Sequence, residues 1–259
     1  MQRKVQKTSF KGISERGSAR VSAVRPWRRD ERTRPEKDVF EHSSTRGYQK
    51  IEGAIRAFNF DFKGKTVLDI GSSTGGFTEA ALNHGALKVI AVEKGSHQMK
   101  VPLRFDSRID LHEKTDIFDV SVKDDSKRGG TELGKASKSA RAPRRQDERT
   151  RPEVELSCVP DIIVADVSFI SLRPILKHAK NNLSGKNTDF LMMLKPQFEA
   201  KPDQLAKGIV KNERIRRNII KDFETWLKNN NFVIVKKRDN TLHGKTGNIE
   251  RFYWLKKSK

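Results

Sequence analysis

A short stretch of small residues after the first predicted strand has the composition of a cofactor-binding loop. Its sequence is Asp69-Ile70-Gly71-Ser72-Ser73-Thr74-Gly75-Gly76-Phe77-Thr78. Glycines let the backbone approach a ligand closely, and the loop leads into a predicted helix. Glu93 ends the second predicted strand, where its carboxylate can accept hydrogen bonds from ribose hydroxyls. The pattern indicates a nucleotide cofactor; a glycine turn that is needed only for packing is the alternative.

The acidic residue at the entrance of this loop distinguishes between two cofactors. The loop departs from the G-x-G-x-x-G pattern of NAD-binding proteins, and the charge of Asp69 would repel a pyrophosphate. S-adenosylmethionine carries no phosphate, and its amino group and sulfonium are positive. The sequence therefore predicts S-adenosylmethionine and not NAD. The residues predicted to bind it in this region are Asp69, Gly71, Ser73, Gly75, Gly76, Phe77 and Glu93.

A third acidic residue stands where the adenine of such a cofactor would lie. Asp116 follows a further strand pattern that comes after residues 88–92, so its place in the strand order lets it reach the adenine amino group. A solvated loop aspartate is an equally good interpretation of this residue. Asp116 is therefore predicted to bind the cofactor, and the alternative of a solvated loop aspartate stays open.

Strand and helix patterns alternate along the chain and must position these residues. Short runs rich in Val, Ile and Leu predict strands that are buried on both faces, at residues 66–70, 88–92, 161–165, 190–194 and 232–235. Amphipathic patterns predict helices at residues 76–84, 171–183 and 212–230. Such alternation predicts an α/β fold with a doubly wound, mostly parallel, Rossmann-like sheet.

The last two predicted strands differ from the others in their connection. Residues 232–236 and 249–255 are separated by a turn-rich stretch that is too short for a crossover helix. Two strands joined in this way pair antiparallel. A C-terminal antiparallel hairpin on a doubly wound sheet is typical of methyltransferases.

Length and charge limit the class of protein. The 259 residues suffice for one α/β domain with appendages, and the net charge of +21 favours a polyanionic partner, either nucleic acid or an anionic membrane surface. The sequence has neither a long apolar run nor an apolar signal segment, so we expect a soluble cytoplasmic protein without stable membrane association. The single cysteine, Cys158, excludes an intramolecular disulfide, and no metal site is predicted.

Two segments look foreign to this domain. Residues 30–36 and 147–153 share the sequence Asp-Glu-Arg-Thr-Arg-Pro-Glu, an identity that indicates an inserted sequence present twice. We therefore predict a basic, disordered or inserted N-terminal segment at residues 1–41, and a catalytic domain at residues 42–259 that a disordered insertion interrupts at residues 121–158. A charged arm that binds nucleic acid is the alternative for these segments.

Three ordered motifs resemble those of a known family. They are Val67-Leu68-Asp69-Ile70-Gly71 with Ser73-Thr74-Gly75-Gly76-Phe77-Thr78, then Ala165-Asp166-Val167-Ser168-Phe169-Ile170-Ser171-Leu172, then Leu194-Lys195-Pro196-Gln197-Phe198-Glu199. Together they resemble the TlyA family of haemolysin-like proteins and ribosomal RNA 2′-O-methyltransferases with an FtsJ-like fold. The resemblance implies methyl transfer from S-adenosylmethionine to ribosomal RNA, with a ribosomal subunit as partner.

The FtsJ-like family carries a Lys-Asp-Lys-Glu tetrad, and the resemblance implies its four positions here. Lys50 lies in Arg-Gly-Tyr-Gln-Lys-Ile, and Asp166 precedes Val-Ser-Phe-Ile-Ser. Lys195 begins Lys-Pro-Gln-Phe-Glu, and Glu250 lies in the last hairpin. Asp166 is also assigned to cofactor binding, since it ends a strand at the crevice where such sheets bind ligands.

The chemistry of this reaction explains why these residue types are needed. A ribose hydroxyl is a poor nucleophile near neutral pH and needs a base, whereas a sulfonium methyl needs only in-line positioning because its leaving group is neutral. A lysine can be that base if a second lysine and partial burial lower its pKa while carboxylates orient it. Lys195, at the end of a buried strand, fits this role; a surface lysine that extends to solvent is the alternative.

Two further observations leave alternatives open. Members of the family usually begin with a small S4-type RNA-binding domain, and residues 1–41 show neither its length nor its apolar pattern. A ribosome-binding protein that has lost catalysis is therefore one alternative, although paired lysines and acids at strand ends favour an enzyme. Membrane permeabilisation, suggested by the haemolysin name, is the other; no strongly amphipathic basic helix with an aromatic apolar face supports it.

Overall fold

Residues 45–123, 154–242 and 247–258 are described by the computed structural model of the chain. They belong to one unit, Ser43–Lys259. The predicted N-terminal segment and most of the predicted insertion lie outside the described residues. The assignments made for those two segments therefore stay predictions, except at the ends of the insertion.

A seven-stranded sheet forms the centre of the described unit. All described strands, in chain order, are β1 (Thr66–Ile70), β2 (Lys88–Glu93), β3 (Ile109–Glu113), β4 (Val120–Val122), β5 (Val154–Leu156), β6 (Ile162–Ala165), β7 (Asp189–Leu194), β8 (Phe232–Asp239) and β9 (Arg251–Lys257). The sheet has the order β3-β2-β1-β6-β7-β9-β8, and β4 pairs with β5 in a second, two-stranded sheet. Neighbouring strands from β3 to β7 run parallel, whereas β9 is antiparallel to β7 and β8. The doubly wound sheet with antiparallel C-terminal strands is thus confirmed.

Four α-helices accompany the sheet in the described part of the chain. They are α1 (Arg46–Phe58), α2 (Gly76–Asn83), α3 (Leu172–His178) and α4 (Glu213–Asn229). The side chains of Thr45, Ser171 and Asn212 accept hydrogen bonds from backbone N–H groups at the starts of α1, α3 and α4. The helix predicted at residues 171–183 is α-helical only in its first part, since Ala179–Leu183 forms a π-helical turn.

Helices cover both faces of the sheet. Leu68 and Ile70 of β1 pack in one cluster with residues of α3 and α4, among them Phe223. Val67, on the opposite face, packs in a second cluster with residues of α1 and α2, among them Ile51. Successive strand residues point to opposite faces, so a strand that is covered on both sides must be largely apolar. This explains the apolar runs from which the strands were predicted.

The two ends of the predicted insertion, residues 121–158, form regular structure. Val120–Val122 pairs parallel with Val154–Leu156, and Lys123 N donates a hydrogen bond to Leu156 O at 3.1 Å. The Leu156 side chain is buried in the same cluster as Leu68. The predicted insertion therefore extends too far at both ends, because strands of three residues are too short to show a periodic pattern.

We expect residues 124–153 to be dispensable for folding. Their replacement by a Gly/Ser linker of about a dozen residues, the length that a parallel connection requires, should leave the unfolding temperature nearly unchanged. Removal of residues 121–158 should lower it clearly, because that deletion also removes β5 and buried Leu156. Thermal unfolding followed by circular dichroism compares the two variants, and equal stability would contradict the boundaries given above.

Candidate active site

The loop between β1 and α2 turns at three residues with left-handed backbone conformation. Gly71, Ser73 and Gly75 have φ angles of +78°, +47° and +90°. Gly75 is also needed for space, because a Cβ atom there would lie 3.2 Å from Met99 Cγ and closer still to the Leu103 side chain. The loop lies at the carboxyl end of β1, the edge where doubly wound sheets bind ligands.

The start of α2 serves packing more than ligand contact. A Cβ atom at Gly76 would lie 2.6 Å from Tyr48 N and 2.9 Å from Gly47 C, so only glycine lets α1 and α2 approach this closely. The ring of Phe77 is buried, and its centroid lies 6.0 Å from that of Phe252 in β9. The ring of Phe77 faces the sheet from the apolar side of α2, and the cofactor contact predicted for this residue stays a prediction.

Asp69 is a buried carboxylate with one unpaired oxygen. Its Oδ2 accepts a hydrogen bond from Thr78 Oγ1 at 2.7 Å, while Oδ1 has no hydrogen-bond partner among the described residues. Burial raises the pKa of Asp69 to about 7, and the charges of Asp166 and Glu93 add to the rise. A buried acceptor without a donor is unfavourable unless a ligand supplies one. The positive amino group of S-adenosylmethionine fits this oxygen.

Two other predicted cofactor ligands lie at neighbouring strand ends. Glu93, at the end of β2, accepts a hydrogen bond from Ser73 N at 2.9 Å and so joins the loop to this strand. Asp116 lies close by, since Thr115 N donates to Glu93 O at 3.1 Å. The Asp116 carboxylate forms an ion pair with Lys94 at 3.0 Å. The structure thus brings Asp69, Ser73, Glu93 and Asp116 to one edge of the sheet.

Two ammonium–carboxylate pairs lie further along the same edge. Lys195 Nζ is 2.6 Å from Asp166 Oδ1, and Lys50 Nζ is 2.7 Å from Glu250 Oε2. Lys50, Lys195 and Glu250 are only 7%, 9% and 2% exposed. Burial raises the pKa of Asp166, and the charges of Lys195 and Lys50 oppose the rise. Since both lysines act on Asp166, the predicted tetrad residues form one cluster.

The sheet order explains how residues far apart in sequence meet here. Asp166 follows β6 and Lys195 follows β7, and these two strands are parallel neighbours. The next strand, β9, runs the other way, so Glu250, directly before its first residue, lies at the same edge. Lys50 comes from α1, whose buried side packs on the sheet.

Two further side chains fix the loop after β6, and their roles were not predicted although the sequence motifs contain them. Ser168 Oγ accepts a hydrogen bond from Lys195 Nζ at 2.6 Å. Glu199 is buried and accepts hydrogen bonds from Leu172 N at 2.7 Å and from Ser171 Oγ at 2.8 Å. The loops after β6 and β7 are therefore joined at two points.

Between these two points the loop presents an aromatic ring to solvent. Phe169 has a φ angle of +64°, its residue is 92% exposed, and its ring centroid lies 5.4 Å from that of Phe198. A left-handed conformation is unfavourable for a bulky residue, so the attachments on either side must hold it. Sequence patterns do not separate such a phenylalanine from one in the core, and it was not predicted as part of the site.

Comparison with known proteins matches this geometry to a family. The FtsJ-like methyltransferase family matches residues 44–257 of the chain. The chain is 32% identical to the 16S/23S rRNA (cytidine-2′-O)-methyltransferase TlyA of Mycobacterium tuberculosis, over 82% of this chain and 68% of that protein. The chain belongs to the TlyA group of the FtsJ-like methyltransferases. A second relative, Hemolysin A of Brachyspira hyodysenteriae, is 32% identical over 80% of this chain and 73% of its own.

Two solved structures are similar to this chain in both fold and sequence. Both are described as candidate haemolysins, one from Streptococcus thermophilus and one from Lactococcus lactis. The first has a TM-score of 0.66 and 27% identity, covering 86% of this chain and 70% of its own. The second has a TM-score of 0.65 and 28% identity, covering 82% of this chain and 86% of its own. The resemblance stated from the three sequence motifs is thus confirmed.

Asp69→Asn should stabilise the cofactor-free protein at neutral pH. The folded carboxyl has a pKa of about 7, against 3.8 for an ordinary aspartate, so the folded state favours the protonated form. The free energy of unfolding of the parent should therefore fall as the pH rises from about 4 to about 7, by up to about 1.4 kcal/mol per pH unit. Asparagine cannot ionise and removes this dependence. Denaturant unfolding at several pH values measures the difference between parent and variant.

The same residue should give cofactor binding the opposite dependence on pH. A bound ammonium group favours the ionised carboxylate, so the affinity of the parent for S-adenosylmethionine should fall as the pH is lowered below about 7. Asp69→Asn should bind weakly at every pH. Calorimetric titration measures both, and an affinity of the parent that does not change between about pH 5 and 8 would contradict this role.

Glu199→Ala should slow methyl transfer while leaving cofactor affinity nearly unchanged, because it frees the loops that carry Lys195 and Asp166. The matched control is Asp222→Asn. Arg173 pairs with Glu199 at 3.1 Å and with exposed Asp222 at 2.6 Å, so the control removes an ion pair without releasing either loop. Comparison of kcat for the two variants is the measurement, and an equal loss in both would show that Glu199 only stabilises the fold.

Proposed function

We propose that this protein transfers the methyl group of S-adenosylmethionine to a ribose 2′-hydroxyl of ribosomal RNA. The observation that carries the proposal is the buried cluster of two lysines and two carboxylates beside the cofactor loop. Relatives from two bacteria, including TlyA of Campylobacter jejuni, are named as rRNA (cytidine-2′-O)-methyltransferases. Such a reaction takes place where ribosomes are, so we place the protein in the cytoplasm.

The cofactor would be held by carboxylates at three neighbouring strand ends. The unpaired Oδ1 of Asp69 would accept a hydrogen bond from the methionyl amino group, Glu93 would accept from the ribose hydroxyls, and Asp116 would accept from the adenine amino group. The bound cofactor supplies an electrophilic methyl group on a sulfonium. The glycine-containing loop gives it close backbone contact, and Asp166 borders both this region and the catalytic cluster, consistent with its double assignment.

Lys195 is the residue that removes the proton from the ribose. Once its ammonium group has released a proton to solvent, its Nζ atom would accept the 2′-hydroxyl proton, and the ribose oxygen would take the methyl group that bound S-adenosylmethionine would supply, leaving a neutral thioether. Asp166 and Ser168 orient the amine from distances of 2.6 Å each. In the second pair, Glu250 neutralises the charge of Lys50, and Lys50 provides a second cation near the reacting oxygen.

The charge of the chain suits an RNA substrate. A net charge of +21 attracts the phosphate backbone and makes binding depend on salt concentration.

The relatives named as haemolysins suggest lysis of membranes as a second candidate function. In the described part of the chain no helix is long and apolar enough to cross a bilayer. Release of haemoglobin from red cells by the purified protein would favour that candidate.

Lys195→Ala should abolish methyl transfer to ribosomal RNA and leave cofactor binding nearly unchanged, since the base contacts the substrate hydroxyl and not the adenosine. A general base contributes on the order of 100- to 10,000-fold in rate, which tritium incorporation from labelled cofactor measures easily. The matched control is Lys177→Ala, which removes an exposed lysine of α3.

The position of the transferred methyl group tests the proposal independently. Mass spectrometry of nucleosides from the methylated RNA should find the group on a 2′-oxygen. A methyl group on a nucleobase, or near-parental incorporation by Lys195→Ala, would show that the tetrad does not act in this way, because a ring nitrogen is already nucleophilic and needs no base.

A further inference from the structure

A tight hairpin lies in the segment that follows Lys195 and Glu199. Ala206 N donates to Ile209 O at 2.9 Å, and Ile209 N donates to Ala206 O at 3.1 Å. The two residues at the tip, Lys207 and Gly208, have φ angles of +52° and +77°. Two-residue hairpin turns of this kind favour Asn-Gly. A lysine at the first position is strained in this conformation and must be held there by its surroundings.

The side chain that holds the hairpin is buried Asn248. Its Oδ1 accepts a hydrogen bond from Val210 N at 3.0 Å, and its Nδ2 donates one to Gly208 O at 3.1 Å. Asn248 is only 2% exposed and lies two residues before Glu250, which pairs with Lys50. A single amide group therefore ties the tip of the hairpin to the strand end that supplies the tetrad glutamate.

The exposed side of this hairpin is basic. Lys201, Lys207 and Lys211 are exposed and form no ion pair within the described residues, while the one exposed acid of the same segment is Asp203. Every ribose in an RNA chain has a phosphate on each side. A protein that places a 2′-hydroxyl at Lys195 must therefore have a phosphate within a few ångströms of the rim of its site.

We infer that the hairpin at Lys207 binds a backbone phosphate next to the target ribose, and that Asn248 positions this contact relative to the tetrad. The inference rests on the proposed function, because it assumes an RNA substrate. A phosphate contact of this kind carries no base specificity and fixes the register of the strand at the site. Lys207 is then a binding residue, and Asn248 is a positioning residue that acts through it.

The first test measures binding of Lys207→Ala to isolated ribosomal subunits at several salt concentrations. Affinity should fall by about three- to tenfold, and the slope of log affinity against log salt should decrease by about 1, the loss of one phosphate contact. The matched control is Lys186→Ala, an exposed lysine near the amino end of β7, which should change neither quantity. An unchanged slope for Lys207→Ala, or an equal change in the control, would overturn the inference.

The second test is a double-mutant cycle between the two residues. Asn248→Ala should raise the KM for ribosomal subunits, lower kcat and leave the affinity for S-adenosylmethionine unchanged. In the Asn248→Ala background, Lys207→Ala should have little further effect on KM, since a hairpin that Asn248 no longer holds does not bring Lys207 to the phosphate. Additive effects would assign Asn248 a purely structural role. Asn248→Asp, which keeps the bond from Val210 N and loses the donor to Gly208 O, should restore part of the activity.

Failure of this inference and failure of the proposed function give different results. If the parent binds subunits with a salt slope that Lys207→Ala reduces, yet transfers no methyl group, the hairpin contact is supported and the proposed reaction is wrong. If the parent methylates RNA and the slope is unchanged in Lys207→Ala, the reaction stands and the hairpin contact is wrong. If the parent does not bind subunits at all, both are wrong.

Discussion

Two buried ammonium–carboxylate pairs impose the strictest constraint on this protein. A buried charge without a partner is unfavourable by several kcal/mol, so Lys50 and Lys195 can be buried only where Glu250 and Asp166 meet them. Lys50 comes from α1, and the other three residues lie next to the ends of β6, β7 and β9, so the order and direction of these strands bring all four to a common edge. The reversed direction of β9 is part of this requirement, because a parallel strand would place its preceding residue at the opposite edge.

Charge is balanced on one part of this edge and unbalanced on the other. Asp166 faces two lysines, whereas Asp69 and Glu93 have acidic neighbours, and burial together with these charges raises the pKa of Asp69. A site with excess negative charge at its cofactor end selects a cationic ligand. Transfer of a methyl group from a sulfonium turns that ligand into a neutral thioether side chain, so the same electrostatics that favour binding also become less favourable after the reaction and assist release.

The sequence predicted the sheet, because apolar runs mark strands that are covered on two faces. The motifs at strand ends supplied the four residues that the structure brings into one cluster, and their catalytic roles stay predictions. The sequence failed where a role depends on three-dimensional context. The packing of Phe77 on Phe252 was not visible in the loop motif, and Leu156 lies in a strand too short for any pattern. Asn248 has the sequence context of an ordinary turn residue, and only the structure shows that Val210 N, 38 residues earlier in the chain, donates a hydrogen bond to its side chain.

The small parallel sheet of β4 and β5 has a consequence for how this chain can change in length. Its two strands pair directly, so the segment that connects them can vary without altering the register on either side. For a flexible connection each doubling of length adds only about 0.6 kcal/mol of closure entropy. The protein thus contains an entry point where foreign sequence, a repeat or even a whole reporter domain can be accepted, while the cofactor loop and the tetrad, carried by other strands, keep their geometry.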